Sequence, residues 1–211
     1  MNEELKKLTK QVEEEIKPQF QEIDEICEKN SLKVITAFQE SNLQEMHLNS
    51  STGYGIDEPG RNKIEEIYAK VFKSEDALVR AQFISGTHAL AITLSALLRP
   101  NDTMISITGA PYDTLQTVIG CGETSSPSSL KAYGIKYEQI ELIENDFDIK
   151  TIQERLKQQN VKLIEIQRSR GYSTRKSLTI EKIEKAIKAI REVNKQVRII
   201  GYFAEILEKR K

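Results

Sequence analysis

Apolar side chains recur at three- and four-residue steps through residues 3–29. Leu5, Leu8, Val12, Ile16, Phe20, Ile23 and Cys27 share one face there, with charges between them, the pattern of an amphipathic helix. Pro18 lies inside that pattern and is expected to kink or split the helix, because its ring removes a backbone donor and crowds the preceding turn. A shorter stretch of the same kind follows at residues 32–38, so residues 1–48 read as a helical arm whose apolar stripe needs a surface to lie on.

The pattern then stops. NSSTGYGIDEPG, residues 49–60, has no periodicity and gathers Gly, Ser, Asp and Pro, which marks a loop. A helix is expected over residues 62–72, with Ile64, Ile67, Tyr68 and Val71 on one face, so that residues 49–76 form a Gly-rich loop and helix. From residue 77 to 211 the pattern alternates. Strand-like runs at residues 77–84, 103–107, 135–140, 161–167 and 197–203 are separated by helical patterns near 87–98, 113–119, 148–158 and 179–194. Strand, helix, strand at this spacing predicts an α/β domain with a mostly parallel sheet covered by helices.

Composition narrows the function classes. The 31 basic and 32 acidic side chains leave a net charge of −1, so no overall field draws in a nucleic acid or an anionic membrane. No apolar run approaches the roughly 18 residues needed to cross a bilayer, and the amino end has no signal-like core. The expected location is the cytoplasm. Cys27, Cys121, His47 and His88 have no ligand spacing, so no metal site is expected, and both thiols read as small buried side chains.

Candidate chemistry gathers where strand-like runs meet helix starts. In FISGTHALAITLSALLRPNDTMIS, residues 83–106, a run breaks at Ser85-Gly86-Thr87 and passes into a helix. A helix start leaves backbone N–H groups without partners and carries partial positive charge, so Gly86 and Thr87 amides with nearby hydroxyls suit a phosphate. Ser85 or Thr87 acting only as a helix cap is the competing reading. The corner matches neither the dinucleotide turn nor the triphosphate loop. A second corner, Thr108-Gly109-Ala110-Pro111-Tyr112, places Tyr112 on the same rim, either to stack a flat heteroaromatic ligand or as an ordinary half-buried ring. A third, at the end of LIEIQRSRGYS, delivers Arg168 and Arg170, which suit a substrate carboxylate or a phosphate or serve as solvated charge.

FISGTHALAITLSALLRPNDTMISITGAPYDTLQTVIG, IQRSRGYS and GYGIDEPGR, in that order, resemble the aluminium-resistance, methionine gamma-lyase-like family of pyridoxal-phosphate enzymes. These belong to the cystathionine and methionine carbon-sulfur lyase group. The resemblance runs from the first helix to about residue 196. It implies the large domain of the aspartate-aminotransferase fold (fold type I), here incomplete, and a homo-oligomer. It implies pyridoxal 5'-phosphate as cofactor, with Ser85, Gly86 and Thr87 at its phosphate and Tyr112 stacked on its ring. Tyr54 and Arg61 resemble residues that such enzymes extend into a neighbouring subunit's phosphate site, and Arg168 and Arg170 resemble a pair on the amino-acid substrate side.

Such catalysis also needs a lysine that bonds the cofactor aldehyde and moves the proton, and a carboxylate that keeps the pyridine nitrogen protonated. The family continues after the last strand with Asp-Asn-Cys-Tyr-Gly-Glu and later Ser-x-x-Lys, whereas this sequence reads VRIIGYFAEILEKRK. Phe203-Ala204-Glu205 resembles a remnant of Tyr-Gly-Glu without the Asp. Lys176 follows the wrong strand and stands where the family has Pro, and Thr174 replaces an aromatic. No catalytic residue is therefore assigned. The expectation is the amino-terminal part of a carbon-sulfur lyase acting on a sulfur amino acid, inactive as this chain. A non-catalytic cofactor-binding or oligomerisation module is the alternative.

Overall fold

A computed structural model describes residues 2–56, 58–123, 126–158, 160–171 and 173–203. The chain divides between Gln82 and Phe83 into two compact units. Ala204 and Glu205, the expected motif remnant, lie outside the described residues.

The first unit is helical. Helix α1 (Glu3–Glu40) starts where the Asn2 side chain accepts a hydrogen bond from the Glu4 amide at 3.2 Å, and Glu3 and Glu4 set negative charge against the positive helix end. It runs through Pro18 as one element, so the expected split does not occur. A proline removes only one hydrogen bond of the ladder, and the long helix formers on both sides carry the helix across it. The pattern at residues 32–38 is the same helix continuing. Its apolar stripe is largely exposed, Leu5, Leu8, Phe20 and Ile23 among them, and Cys27 is exposed with it rather than buried.

Among the described residues the end of α1 is the part that is covered: Val34 and Ala37 pack on Ile67 and Val71 of α2 (Pro59–Phe72). Helix α2 begins three residues before the expected start at residue 62, because Pro59 suits the first helical turn, where its missing N–H removes nothing. A 3-10 turn at Glu45–Leu48 abuts it, so closely that a Cβ on Gly60 would lie 2.2 Å from the His47 carbonyl oxygen.

The strand expected at residues 77–84 is absent. Strand preference acts through cross-strand neighbours, and this segment has none. Instead the Val79 amide donates to Glu65 Oε1 at 2.9 Å, and Arg80 forms an ion pair with the same carboxylate. Leu78 and Ile84 remain exposed.

The second unit is the expected α/β domain. Strands β1 (Thr103–Ser106), β2 (Lys136–Gln139), β3 (Val161–Gln167) and β4 (Arg198–Tyr202) form one sheet in the order β2-β1-β3-β4, every neighbouring pair parallel. Helices α3 (Gly86–Leu97) and α4 (Asp113–Ile119) cover one face, where Leu94, Leu115 and Ile119 pack on Met104 and Leu163. Helices α5 (Ile149–Leu156) and α6 (Ile180–Val193) cover the other, where Ile152, Ile183 and Ile190 meet Ile105, Ile164 and Ile166.

Alternation along β3 explains the two cores. Leu163, Glu165 and Gln167 point to the α3/α4 face, Ile164 and Ile166 to the α5/α6 face. With both faces covered, the middle of β3 carries Leu163, Ile164 and Ile166, as buried parallel strands do, while Lys162, Glu165 and Gln167 are polar. Of these three, Glu165 is the ionisable side chain that is buried.

Candidate functional site

The chain order of the strands reverses between β1 and β3, since β1 leads to β2 on one side and β3 to β4 on the other. In open α/β sheets the crevice outside the carboxyl ends at such a point is where ligands bind. Thr108 and Tyr112 follow β1, and Gln167 ends β3. The Gln167 amide donates to Thr108 Oγ1 at 3.0 Å, and Gln167 Oε1 accepts from the Tyr112 amide at 2.9 Å. Two strand ends separated by some sixty positions of sequence are thus tied into one rim.

The start of α3 lies on this rim, although no strand precedes it. Ser85 caps the helix, its Oγ accepting from the His88 amide at 3.1 Å. Such a cap stabilises a helix by about 1 kcal/mol. The cap satisfies one of the orphan donors and leaves others: among the described residues the Gly86 and Thr87 amides have no acceptor. A Cβ on Gly86 would meet the Tyr202 hydroxyl at 3.7 Å, which places that phenol beside the helix start. Thr87 Oγ1 lies 3.2 Å from the Tyr112 hydroxyl and 3.0 Å from Thr114 Oγ1. Two free amides and a cluster of hydroxyls at a helix start fit a phosphate monoester.

Tyr112 shares this cluster through its hydroxyl, and its ring is already in contact. Tyr202, at the end of β4, stacks on it with centroids 5.3 Å apart and planes 29° apart. The register puts Tyr202 opposite Gln167, and the Tyr202 carbonyl accepts from the Arg168 amide at 3.1 Å.

The two expected arginines part company. Arg168 is buried, and its Nε donates to the Leu178 carbonyl at 3.1 Å. Arg170 is exposed. A third arginine holds this loop: Arg175 donates to the carbonyls of Gln167 at 3.0 Å, Ser169 at 2.5 Å and Lys176 at 3.1 Å. Burial lowers its pKa, while the charge of Glu165 works against that. Lys176 is exposed, its amide donating to Asn145 Oδ1.

Tyr54 and Arg61 belong to the first unit. Tyr54 is 88% exposed, and Arg61 pairs with the buried Glu58 at 2.7 Å. Glu58 also accepts from the Gly55 amide at 3.1 Å, which ties the loop to the start of α2.

Beneath the rim lies a group that motif reading does not single out. Glu165 is 1% exposed and directly opposite Ser106. Ser106 Oγ lies 2.7 Å from Glu165 Oε2 and 2.6 Å from the Gly109 carbonyl oxygen. One hydroxyl proton cannot serve two acceptors. A protonated Glu165 resolves the conflict by donating to Ser106, which donates to Gly109. Burial pushes the carboxyl up to about 7, against the Ser106 hydrogen bond and the positive charge of Arg175. Glu165 Oε1 is buried with no partner among the described residues. The signal in the sequence was a lone acid in an apolar strand.

The family profile described as methionine gamma-lyase matches residues 5–209. The chain belongs to the methionine gamma-lyase family. The match extends past residue 196, where the resemblance read from motifs stops. Among relatives of this methionine gamma-lyase family chain, the uncharacterized protein YnbB of Bacillus subtilis (strain 168) is 39% identical over 212 residues, 97% of this chain and 50% of that protein. A carbon-sulfur lyase involved in aluminum resistance from Clostridium novyi NT is 40% identical with a TM-score of 0.86, over 95% of this chain and 48% of that one. A Clostridium acetobutylicum structure, named for a cystathionine beta-lyase involved in aluminum resistance, is 45% identical with a TM-score of 0.88, over 95% of this chain and 48% of that one. The chain therefore spans about half the length of these relatives. Among the described residues no helix is long and apolar enough to cross a membrane, and no group of three His, Cys, Asp or Glu is placed to hold a metal ion.

Proposed function

We propose that the second unit binds pyridoxal 5'-phosphate at the start of α3, as part of a carbon-sulfur lyase acting on a sulfur amino acid. The observation that carries this reading is the pair of open amides at Gly86 and Thr87, set beside Tyr112 at the point where the strand order reverses. Gly86 and Thr87 hold the phosphate through their N–H groups, with the Ser85 and Thr87 hydroxyls beside them. Tyr112 orients the ring, and Gln167 fixes Tyr112 by accepting from its amide. Bound there, the cofactor supplies an aromatic electron sink.

Arg170 is exposed at the strand end and takes the substrate carboxylate, while Arg168, held at Leu178, shapes the loop that presents it. Tyr54 and Arg61 are contributed by a second copy of the chain, a role that the exposure of Tyr54 suits. In this reading the chain binds cofactor without completing catalysis, because no lysine in it has the sequence context of the family's reactive lysine.

Titration of the full chain with pyridoxal 5'-phosphate is expected to give saturable quenching of tyrosine emission, reversed by inorganic phosphate. Borohydride treatment is expected to fix no cofactor on a lysine. Binding that never saturates, or that phosphate does not displace, removes the proposed site. A cofactor fixed on a lysine instead removes the non-catalytic part of the reading.

The alternative of an oligomerisation module is favoured by one observation, the exposed apolar stripe of α1. A stripe of that length on a soluble protein marks a contact surface. We expect light scattering to give more than one chain per particle. A monomer at all concentrations, with α1 still helical, counts against association through this helix.

A further inference from the structure

We infer that Tyr202 occupies the ring position at Tyr112, so that a phosphate ligand with a flat aromatic body reaches the cradle fully only by displacing it. The inference rests on the phosphate site proposed above and concerns a residue outside that site's donor set. Three observations locate Tyr202. Its backbone is held by pairing with β3, where its carbonyl accepts from the Arg168 amide at 3.1 Å. Its ring stacks on Tyr112 at 5.3 Å and 29°. Its hydroxyl comes within 3.7 Å of the Cβ position at Gly86, the first residue of α3. Burial and the neighbouring Tyr112 raise its pKa, in keeping with a phenol held in neutral form.

The placement follows from strand geometry. Parallel partners on neighbouring strands point to the same face, so the residue paired with Gln167 must share the side on which Gln167 reaches Tyr112. In RIIGY, residues 198–202, that residue is an aromatic. Stacking on Tyr112 then satisfies it without any ligand. A ligand with a phosphate and no ring meets the amides directly, whereas a ring has to exchange one aromatic partner of Tyr112 for another and gains little from the exchange. Tyr202 thus sets the preference of the cradle between phosphate alone and phosphate on a heteroaromatic ring.

The test compares inorganic phosphate with pyridoxal 5'-phosphate by calorimetric titration of the full chain. Tyr202→Ala is expected to bind pyridoxal 5'-phosphate about tenfold more tightly, the size of a stacked aromatic pair, with phosphate affinity unchanged. Tyr202→Phe, which keeps the stack, is expected to match the natural chain. If Tyr202→Ala leaves pyridoxal 5'-phosphate affinity unchanged or weaker while phosphate still binds, the inference is overturned and the phosphate site stands. If neither ligand binds any variant, the phosphate site itself fails and the inference falls with it. Ring carbon resonances of labelled Tyr202 in the natural chain give a readout independent of whether the alanine variant folds. They are expected to move with pyridoxal 5'-phosphate and stay in place with inorganic phosphate, and resonances that ignore bound pyridoxal 5'-phosphate overturn the displacement.

Discussion

Replacing Glu165 by Gln is expected to stabilise the chain by about 3 kcal/mol at roughly pH 8, and to change its stability little near pH 4. The carboxyl is buried, and its pKa rises from 4.5 in the unfolded chain to about 7 in the folded one. A raised carboxyl pKa means that the folded state holds the proton more tightly. The stabilisation linked to that proton is complete below about 4.5, declines as the pH climbs, and is gone above about 7. Above that point folding carries the cost of an ionised acid in a dry site.

Glutamine has the shape of the protonated acid, can donate to Ser106 as that acid does, and has no proton to lose. The two proteins should therefore match in acid and separate between about pH 4.5 and 7. Urea melts of both at the two ends of this range measure the difference, and groups common to both cancel. An equal pH dependence would show that Glu165 titrates normally. A variant less stable than the natural chain above pH 7 would show that the ionised acid is favourably held, with the positive charge of Arg175 acting on it.

Gly60→Ala is expected to destabilise the first unit by about 3 kcal/mol, toward the upper end of overpacking costs. The added Cβ would lie 2.2 Å from the His47 carbonyl oxygen. Both sides of this contact are backbone, so no rotamer change relieves it. Either the turn at Glu45–Leu48 or the first turn of α2 has to move. The turn is itself tied, since the His47 ring accepts from the Gln44 amide at 2.9 Å. The first turn of α2 carries Arg61, paired with Glu58. Faster amide exchange across residues 44–72 together with a lowered melting transition is the expected result. Asn62→Ala, an exposed change two residues further along α2, should do almost nothing. A Gly60→Ala protein with unaltered melting and exchange would mean that the turn and helix do not pack this closely in solution.

Where an interaction is local, residue order was enough. The steps of Ile183, Ala186 and Ile190 define the buried face of α6, and Leu163, Ile164 and Ile166 mark β3 as a strand. The corner at Ser85 was legible because capping needs only neighbours in sequence. Continuity of α1 through Pro18 was not, since one proline interrupts a ladder without dictating whether the rest holds. Residues 77–84 failed as a strand for a related reason. Their composition suits a sheet, but a strand exists only where another pairs with it, and Glu65 claims the Val79 amide instead.

The rim is the part that residue order could not supply. Gln167 reaches Tyr112 across 55 positions, Ser106 meets Glu165 across 59, and Tyr202 stacks on a ring 90 residues earlier in the chain. Each pairing depends on strand register and on which face a side chain takes, and a shift of one residue would undo all of them. Sequence alone determined the alternating elements from α3 onward and the capped helix start at Ser85. Tertiary structure decided that Arg168 turns inward to Leu178, that an acid is buried under the rim, and that the chain's own tyrosine lies against Tyr112, because folding brings those groups together only once the sheet has set its alignment.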